Sequence, residues 1–187
     1  MEFRTFNKIA RLSREMIVTE KIDGTNGLIA IGEDGEFQVG SRSRWITPEK
    51  DNDNYGFARW AYNHKDELMT LGVGFHYGEW WGQGIQRGYG LKEKRFSLFN
   101  TSRWSDEAGV RPACCHVVPT LYTGMFDTTK IETILEHLSY YGSVAAPGFM
   151  NPEGVVIYHV AGNLYFKKTI VGDYQPKSIN HSKQEQK

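Results

Sequence analysis

The chain has 187 residues, 40% of them hydrophobic and 13% aromatic, which is enough apolar surface for one domain, or one domain with a small appendage, and excludes a disordered chain. Lys plus Arg and Asp plus Glu each total 22, so there is no global basic excess of the kind that drives nonspecific nucleic-acid binding, and any polyanion site must be a local patch. No apolar run is long enough to span a membrane, and Cys114 and Cys115 are adjacent, which suits neither an ordinary disulfide nor zinc spacing with His116; with no signal peptide read at the start, a reducing, cytoplasmic setting is expected.

The first element in chain order is a strand over Met16 to Glu20, running into Glu20-Lys21-Ile22-Asp23-Gly24-Thr25-Asn26. Period-two alternation puts Lys21 and Asp23 on one face, and Gly24 lets the backbone turn beside them. A free lysine has a pKa of about 10.4 and is a poor nucleophile while protonated; desolvation and nearby cations lower it, and the same cations would draw in a polyphosphate. A surface strand entering a turn, with the aspartate bonded to backbone amides, is the alternative.

Further strands are expected over Leu28 to Ile31, Glu36 to Gly40, Gly74 to Trp81, Arg95 to Asn100, His116 to Val118, Glu153 to His159 and Asn163 to Lys168, with hairpin turns at Glu33 to Gly35 and Ala161 to Asn163. Two helices interrupt them. One runs from about Tyr55 to Leu68, with Phe57, Trp60, Ala61, His64 and Leu68 on one face; the other runs from Thr128 to Tyr140, capped by Asp127 and ended by Gly142. Strands with intercalated helices and no regular βαβ alternation predict an α+β fold of largely antiparallel sheets flanked by helices. Residues 1–174 form the expected domain, and 175–187 a polar tail.

Several of these segments could carry chemistry. In Ser41-Arg42-Ser43-Arg44, strand alternation places Arg42 and Arg44 together, either on phosphate oxygens and a ribose or on a solvated edge. Glu79, in the aromatic and glycine-rich strand Tyr77 to Gly82, needs a partner, which a ribose hydroxyl or a structural contact would provide. Phe96 is either a flat platform for a base or core packing. Glu153 stands at a strand start beside a glycine, suited to a divalent cation or to a turn. Lys167 and Lys168 end the last strand and point to opposite faces.

Taken in order, lysine with aspartate, arginine pair, glutamate strand, aromatic strand, Glu-Gly-aliphatic strand and lysine pair resemble the covalent nucleotidyltransferases, the superfamily of polynucleotide ligases and mRNA capping enzymes. Glu20 to Asn26 looks most like the RNA ligase 2 family. The resemblance spans Glu20 to Lys168 and implies an ATP-grasp-like nucleotidyltransferase domain in which Lys21 attacks the α-phosphate of ATP. It further implies Glu20 beside the adenine, Asp23 and Asn26 organising the nucleophile and metal water, and Arg42, with Arg44 as a second candidate, near ribose and phosphate. Glu79 would bind the ribose, Phe96 would stack on adenine, and Glu153 would engage Mg²⁺ or Mn²⁺, with Asn26 assisting. Lys167, or failing it Lys168, would contact the α-phosphate.

The chain departs from the family in two places: Phe166 stands where a Lys-x-Lys pattern would have its first lysine, and Asn100 where relatives carry aspartate. Little sequence follows the last motif, so neither an OB domain nor a helical C-terminal domain is expected. The resemblance therefore implies a lone catalytic core that self-adenylates well and seals ends poorly unless a separate partner or a dimer replaces the appendage. Expected partners are RNA or a nicked nucleic-acid duplex, and no membrane. A DNA nick-sealing ligase, a capping guanylyltransferase and a binding module that has lost catalysis are the competing readings.

Overall fold

The computed structural model describes residues 1–106 and 111–173; the expected polar tail, 175–187, lies outside them. The architecture is α+β, built on two sheets. Strands β1 (Glu15–Lys21), β7 (Thr120–Met125), β8 (Gly154–His159) and β9 (Leu164–Thr169) form a four-stranded sheet in the order β7-β1-β8-β9. Strands β2 (Thr25–Ile31), β3 (Phe37–Gly40), β4 (Gly74–Gly82), β5 (Lys94–Leu98) and β6 (Cys115–Val117) form a five-stranded sheet in the order β3-β2-β4-β5-β6. Every strand pair is antiparallel except β5 with β6.

The chain leaves one sheet and enters the other between Lys21 and Thr25, so the nucleophile candidate sits where the sheets meet. Alternation along β1 is clean: Met16, Val18 and Glu20 are buried on one face, while Ile17, Thr19 and Lys21 point the other way. Helix α4 (Thr128–Tyr141) covers the buried face, with Ile131, Leu135 and Leu138 against Met16, Val18, Val155 and Ile157. The Asp127 side chain caps it by accepting from the Thr129 amide at 2.8 Å, and Gly142 ends it at φ 86°. The five-stranded sheet instead buries a face rich in aromatics, where Phe57, Trp60, Trp80 and Phe96 pack with ring centroids 4.9 to 5.8 Å apart.

Three elements differ from their expected form. The first helix breaks into α1 (Phe57–Asn63) and α2 (Lys65–Leu68), because His64 leaves helical geometry at φ −109° with its ring Nδ1 2.8 Å from the Trp60 carbonyl. The Arg95 to Asn100 strand stops at Leu98, since the Asn100 side chain accepts from the Arg103 amide and starts the short helix α3 (Thr101–Trp104). Strand β7 is an edge strand with a glycine in it, and neither feature marks it as a strand in the sequence.

Candidate active site

The end of β1 pairs Lys21 with Gly154, the first residue of β8, and this register brings Glu153 to the lysine. Lys21 Nζ donates to Glu153 Oε2 at 2.6 Å across 132 positions of sequence. A Cβ at Gly154 would run into the backbone of Lys168, so glycine there is what allows β8 and β9 to close beside Glu153.

Beyond the turn, Asn26 on β2 pairs with Glu79 on β4. The Glu79 carboxylate accepts from the Gly24 amide at 3.1 Å and from Asn26 Nδ2 at 3.2 Å, tying the start of β2 to β4. Gly24 has no room for a side chain: a Cβ would lie 2.5 Å from the Trp80 carbonyl and 2.8 Å from Trp81 Cβ. Burial pushes the Glu79 carboxyl up to about 7, partly offset by the Lys21 charge and the Gly24 amide and reinforced by the neighbouring carboxylates Glu153 and Asp23.

Asp23 has a partner on the chain's most glycine-rich segment, which follows β4. Arg87 Nε donates to Asp23 Oδ2 at 2.9 Å, and its Nη1 donates to the Asn151 carbonyl and Oδ1, both at 3.0 Å, and to the Pro152 carbonyl at 3.3 Å. The Asp23 amide donates to Tyr89 Oη at 2.8 Å, and burial raises the Tyr89 phenol so that it stays protonated. One arginine thus holds both the turn after Lys21 and the segment that leads into Glu153. Sequence reasoning missed Arg87 and Tyr89; the glycine run Gly82 to Gly90, directly after the glutamate strand, was the available signal.

Lys21, Asp23, Asn26, Glu79 and Glu153 therefore meet in one place, but other predicted residues do not join them as expected. Glu20 lies on the opposite face of β1 from Lys21 and is 1% exposed. Its oxygens accept from Ser143 Oγ at 2.5 Å and from the Val144 and Ala145 amides at 2.8 Å each, so it fixes the loop after α4 where a place beside adenine was expected. Phe96 requires a similar correction. It pairs with Trp80, whereas Glu79 pairs with Ser97, so Phe96 and Glu79 are on opposite faces and Phe96 is fully buried beneath Phe57 and Trp60. By alternation from Ser97, the aromatic on the Glu79 face is Phe99, 38% exposed, whose amide extends the ladder by donating to the Tyr77 carbonyl at 3.0 Å.

Arg42 and Arg44 are not on a strand either. Gly40 bridges to Trp45 and the Ser41 amide donates to the Arg44 carbonyl at 2.8 Å, which makes residues 41–44 the exposed tip of a tight hairpin. Because Gly40 pairs with Leu28, that tip flanks the Asn26 end of β2. At the other side of the site, Lys167 pairs with Val156 and lies on the Lys21 face, exposed. Lys168 pairs with Val155 on the α4 face, where its Nζ is 2.7 Å from Glu132 Oε1.

Three carboxylates, Glu153, Glu79 and Asp23, face two cations, Lys21 and Arg87, so with Glu79 ionised this cluster is one charge negative. Such a donor set fits a divalent cation that arrives with a polyphosphate. Among the described residues no group of three or more His, Cys, Asp or Glu side chains is arranged to hold a metal ion without such a ligand. A cavity of about 250 Å³ lies elsewhere, on the α4 side of β8 and β9.

A family model for RNA ligase matches residues 14–170. Among solved structures, a lysine-to-alanine mutant of a Naegleria gruberi RNA ligase without ligand is 22% identical with a TM-score of 0.63. A second such mutant, with ATP and Mn, is 20% identical with a TM-score of 0.60, and a glutamate-to-alanine mutant with AMP and Mn is 20% identical with a TM-score of 0.62. Each alignment covers 84% of this chain and 49% or 50% of the other, so the chain spans about half the length of the ligases it matches. A comparison with curated protein sequences gives no match.

Proposed function

Since the chain belongs to the RNA ligase family, we propose that it is an ATP-dependent RNA-joining catalytic unit in which Lys21 carries AMP. The observation that carries this reading is the meeting of Lys21, Asp23, Asn26, Glu79 and Glu153, drawn from five separate strands and connecting segments, at the junction of the two sheets.

The Lys21 ammonium sheds one proton, for which Glu153 at 2.6 Å is the acceptor in position. The amine then attacks the α-phosphorus of ATP; an N–P bond forms, the O–P bond to the β-phosphate breaks, and pyrophosphate leaves. In the second step the α-phosphorus passes from Lys21 to the 5′-phosphate of an RNA end. In the third, a 3′-hydroxyl attacks that activated phosphate and expels AMP. Glu79 offers its carboxylate to the ribose hydroxyls, Phe99 its ring to the base, and Lys167 its charge to the α-phosphate, where donors aimed at developing charge contribute most. A Mg²⁺ or Mn²⁺ ion held by Glu153 with Asn26 would offset charge on the reacting phosphate. Arg87 keeps Asp23 and the Glu153 segment in register with the nucleophile.

The Naegleria ligase structures support the assignment by spacing. A lysine and an aspartate replaced in them stand two positions apart, as Lys21 and Asp23 do, and a glutamate and a lysine stand fourteen apart, as Glu153 and Lys167 do. Those ligase mutants are complexed with ATP or AMP and Mn.

Incubation with α-labelled ATP and divalent metal should give a covalent protein-AMP adduct that is absent in Lys21→Ala. Failure of the wild type to form the adduct with either Mg²⁺ or Mn²⁺ would sink the proposal. A comparison of nicked RNA, DNA and hybrid duplexes then reads the substrate.

A further inference from the structure

Among the described residues, one side of the four-stranded sheet packs into a core cluster and the other does not. Helix α4 packs against the face of Met16, Val18, Val155 and Ile157. The opposite face carries Ile17, Thr19 and Lys21 of β1, Val156 and Tyr158 of β8, and Tyr165 and Lys167 of β9, and none of these belongs to a core cluster among the described residues. It is the face on which Lys21 stands, so it continues from the active site.

Its chemistry is graded along the strands. At the near end are the cations Lys21 and Lys167. At the row of Ile17, Tyr158 and Tyr165 are direct cross-strand partners, stacked with ring centroids 4.6 Å apart and planes 27° apart. Tyr165 is 69% exposed, while Tyr158 is half-buried and tethered by its hydroxyl, which donates to Asn163 Oδ1 at 2.9 Å. The pair is therefore oriented before any ligand arrives, which lowers the entropic cost of binding to it. Beyond it the exposed Glu15 ends the face with a negative charge. An exposed ring backed by a second and leading up to lysines on a sheet suits a strand whose bases stack and whose phosphates pair, and the basic end is the reactive end.

We infer that this face is the track for the single-stranded RNA end that enters the site, with Tyr165, backed by Tyr158, as the platform on which one of its bases stacks. The inference rests on the ligase reading for the identity of the strand. Tyr158 is four residues along the sheet from the Lys21 row, about 13 Å at ~3.3 Å per residue. Stacked nucleotides at ~3.4 Å each cover that distance in about four. The platform thus reads neither the reacting phosphate nor ATP, and its loss weakens the hold on RNA while leaving the first chemical step alone.

The test uses 5′-phosphorylated RNAs with one 2-aminopurine at successive positions from the phosphate, titrated with the wild type, Tyr165→Ala and Tyr165→Phe. Quenching is expected about the third to fifth nucleotide, with affinity about tenfold lower in Tyr165→Ala, as for loss of one stacked base, and retained in Tyr165→Phe. Adduct formation from ATP should be equal in all three. Equal RNA affinity of the wild type and Tyr165→Ala, or quenching at no position, overturns the platform and leaves the face to a protein partner. RNA bound with Tyr165-dependent quenching by a wild type that forms no adduct keeps the platform and overturns the ligase reading instead.

Discussion

The five-stranded sheet buries one face of aromatic residues, and the four-stranded sheet leaves a stacked tyrosine pair on its face away from α4. Phe57, Trp60, Trp80 and Phe96 lock one face of the larger sheet into a buried cluster, whereas Tyr158 and Tyr165 lie on a face of the smaller sheet that belongs to no core cluster among the described residues. Rings of similar size thus serve stability on the buried face of the larger sheet and are left for contact on the Lys21 face of the smaller one. The larger sheet gives up conformational freedom to fix Glu79 beside Gly24 and Asn26; the smaller one supplies Lys21 and keeps one side accessible. The nucleophile sits at the boundary between a rigid wall and an open one.

The comparison breaks most sharply at Phe96. If its ring is core, Phe96→Ala should lower unfolding free energy by about 3–5 kcal/mol, as for other buried large-to-small changes, measured by urea denaturation. Phe99→Ala should leave stability nearly unchanged and weaken ATP binding. The reverse pattern, with nucleotide affinity lost at Phe96 and stability lost at Phe99, would assign the base platform to the other face of β5. Next in size is the contrast between the lysines. Lys167→Ala, on the Lys21 face, should slow adduct formation by about a hundredfold, in the range seen when one donor to a developing charge is removed. Lys168→Ala, on the α4 face where Lys168 pairs with Glu132, should cost little activity. Equal losses in single-turnover labelling would mean that β9 does not separate the two faces functionally.

What could be read in the sequence follows the range of the interactions involved. The α+β architecture, the α4 caps and the joint placement of Lys21 with Asp23 depend on neighbours in the chain, and local periodicity and turn chemistry are enough to reach them. Whether Phe96 shares a face with Glu79 depends on the register of β4 against β5, a pairing across twelve to twenty positions that neither strand's own pattern encodes. Arg42 and Arg44 alternate like strand residues, yet the Gly40 to Trp45 bridge folds them into a hairpin tip. The family resemblance puts Glu20 beside adenine, but the loop amides that bind its carboxylate lie more than 120 residues away, beyond the reach of a local motif. For Arg87 the glycine run around it marks a segment but not a role, which exists only because Asp23 and Pro152 converge on one guanidinium.

The smallest expected effect concerns Glu79, whose carboxyl burial raises from 4.5 to about 7. An acid with a raised folded-state pKa contributes stability that is fully present below its unfolded value and is lost as pH rises through the folded one. Between pH 4.5 and 7 the unfolded chain gives up the proton that the folded chain retains, so this group makes the protein less stable as pH increases, with no further change above the window. Glu79→Gln removes the titration and keeps an oxygen for the Gly24 amide. Its stability should therefore fall less steeply than that of the wild type between pH 5 and 7, by at most about 1.4 kcal/mol per pH unit. Parallel stability curves for the two proteins would mean that the carboxyl stays ionised throughout. The wall of the larger sheet would then be holding a full negative charge beside Glu153 and Asp23 even without a bound cation.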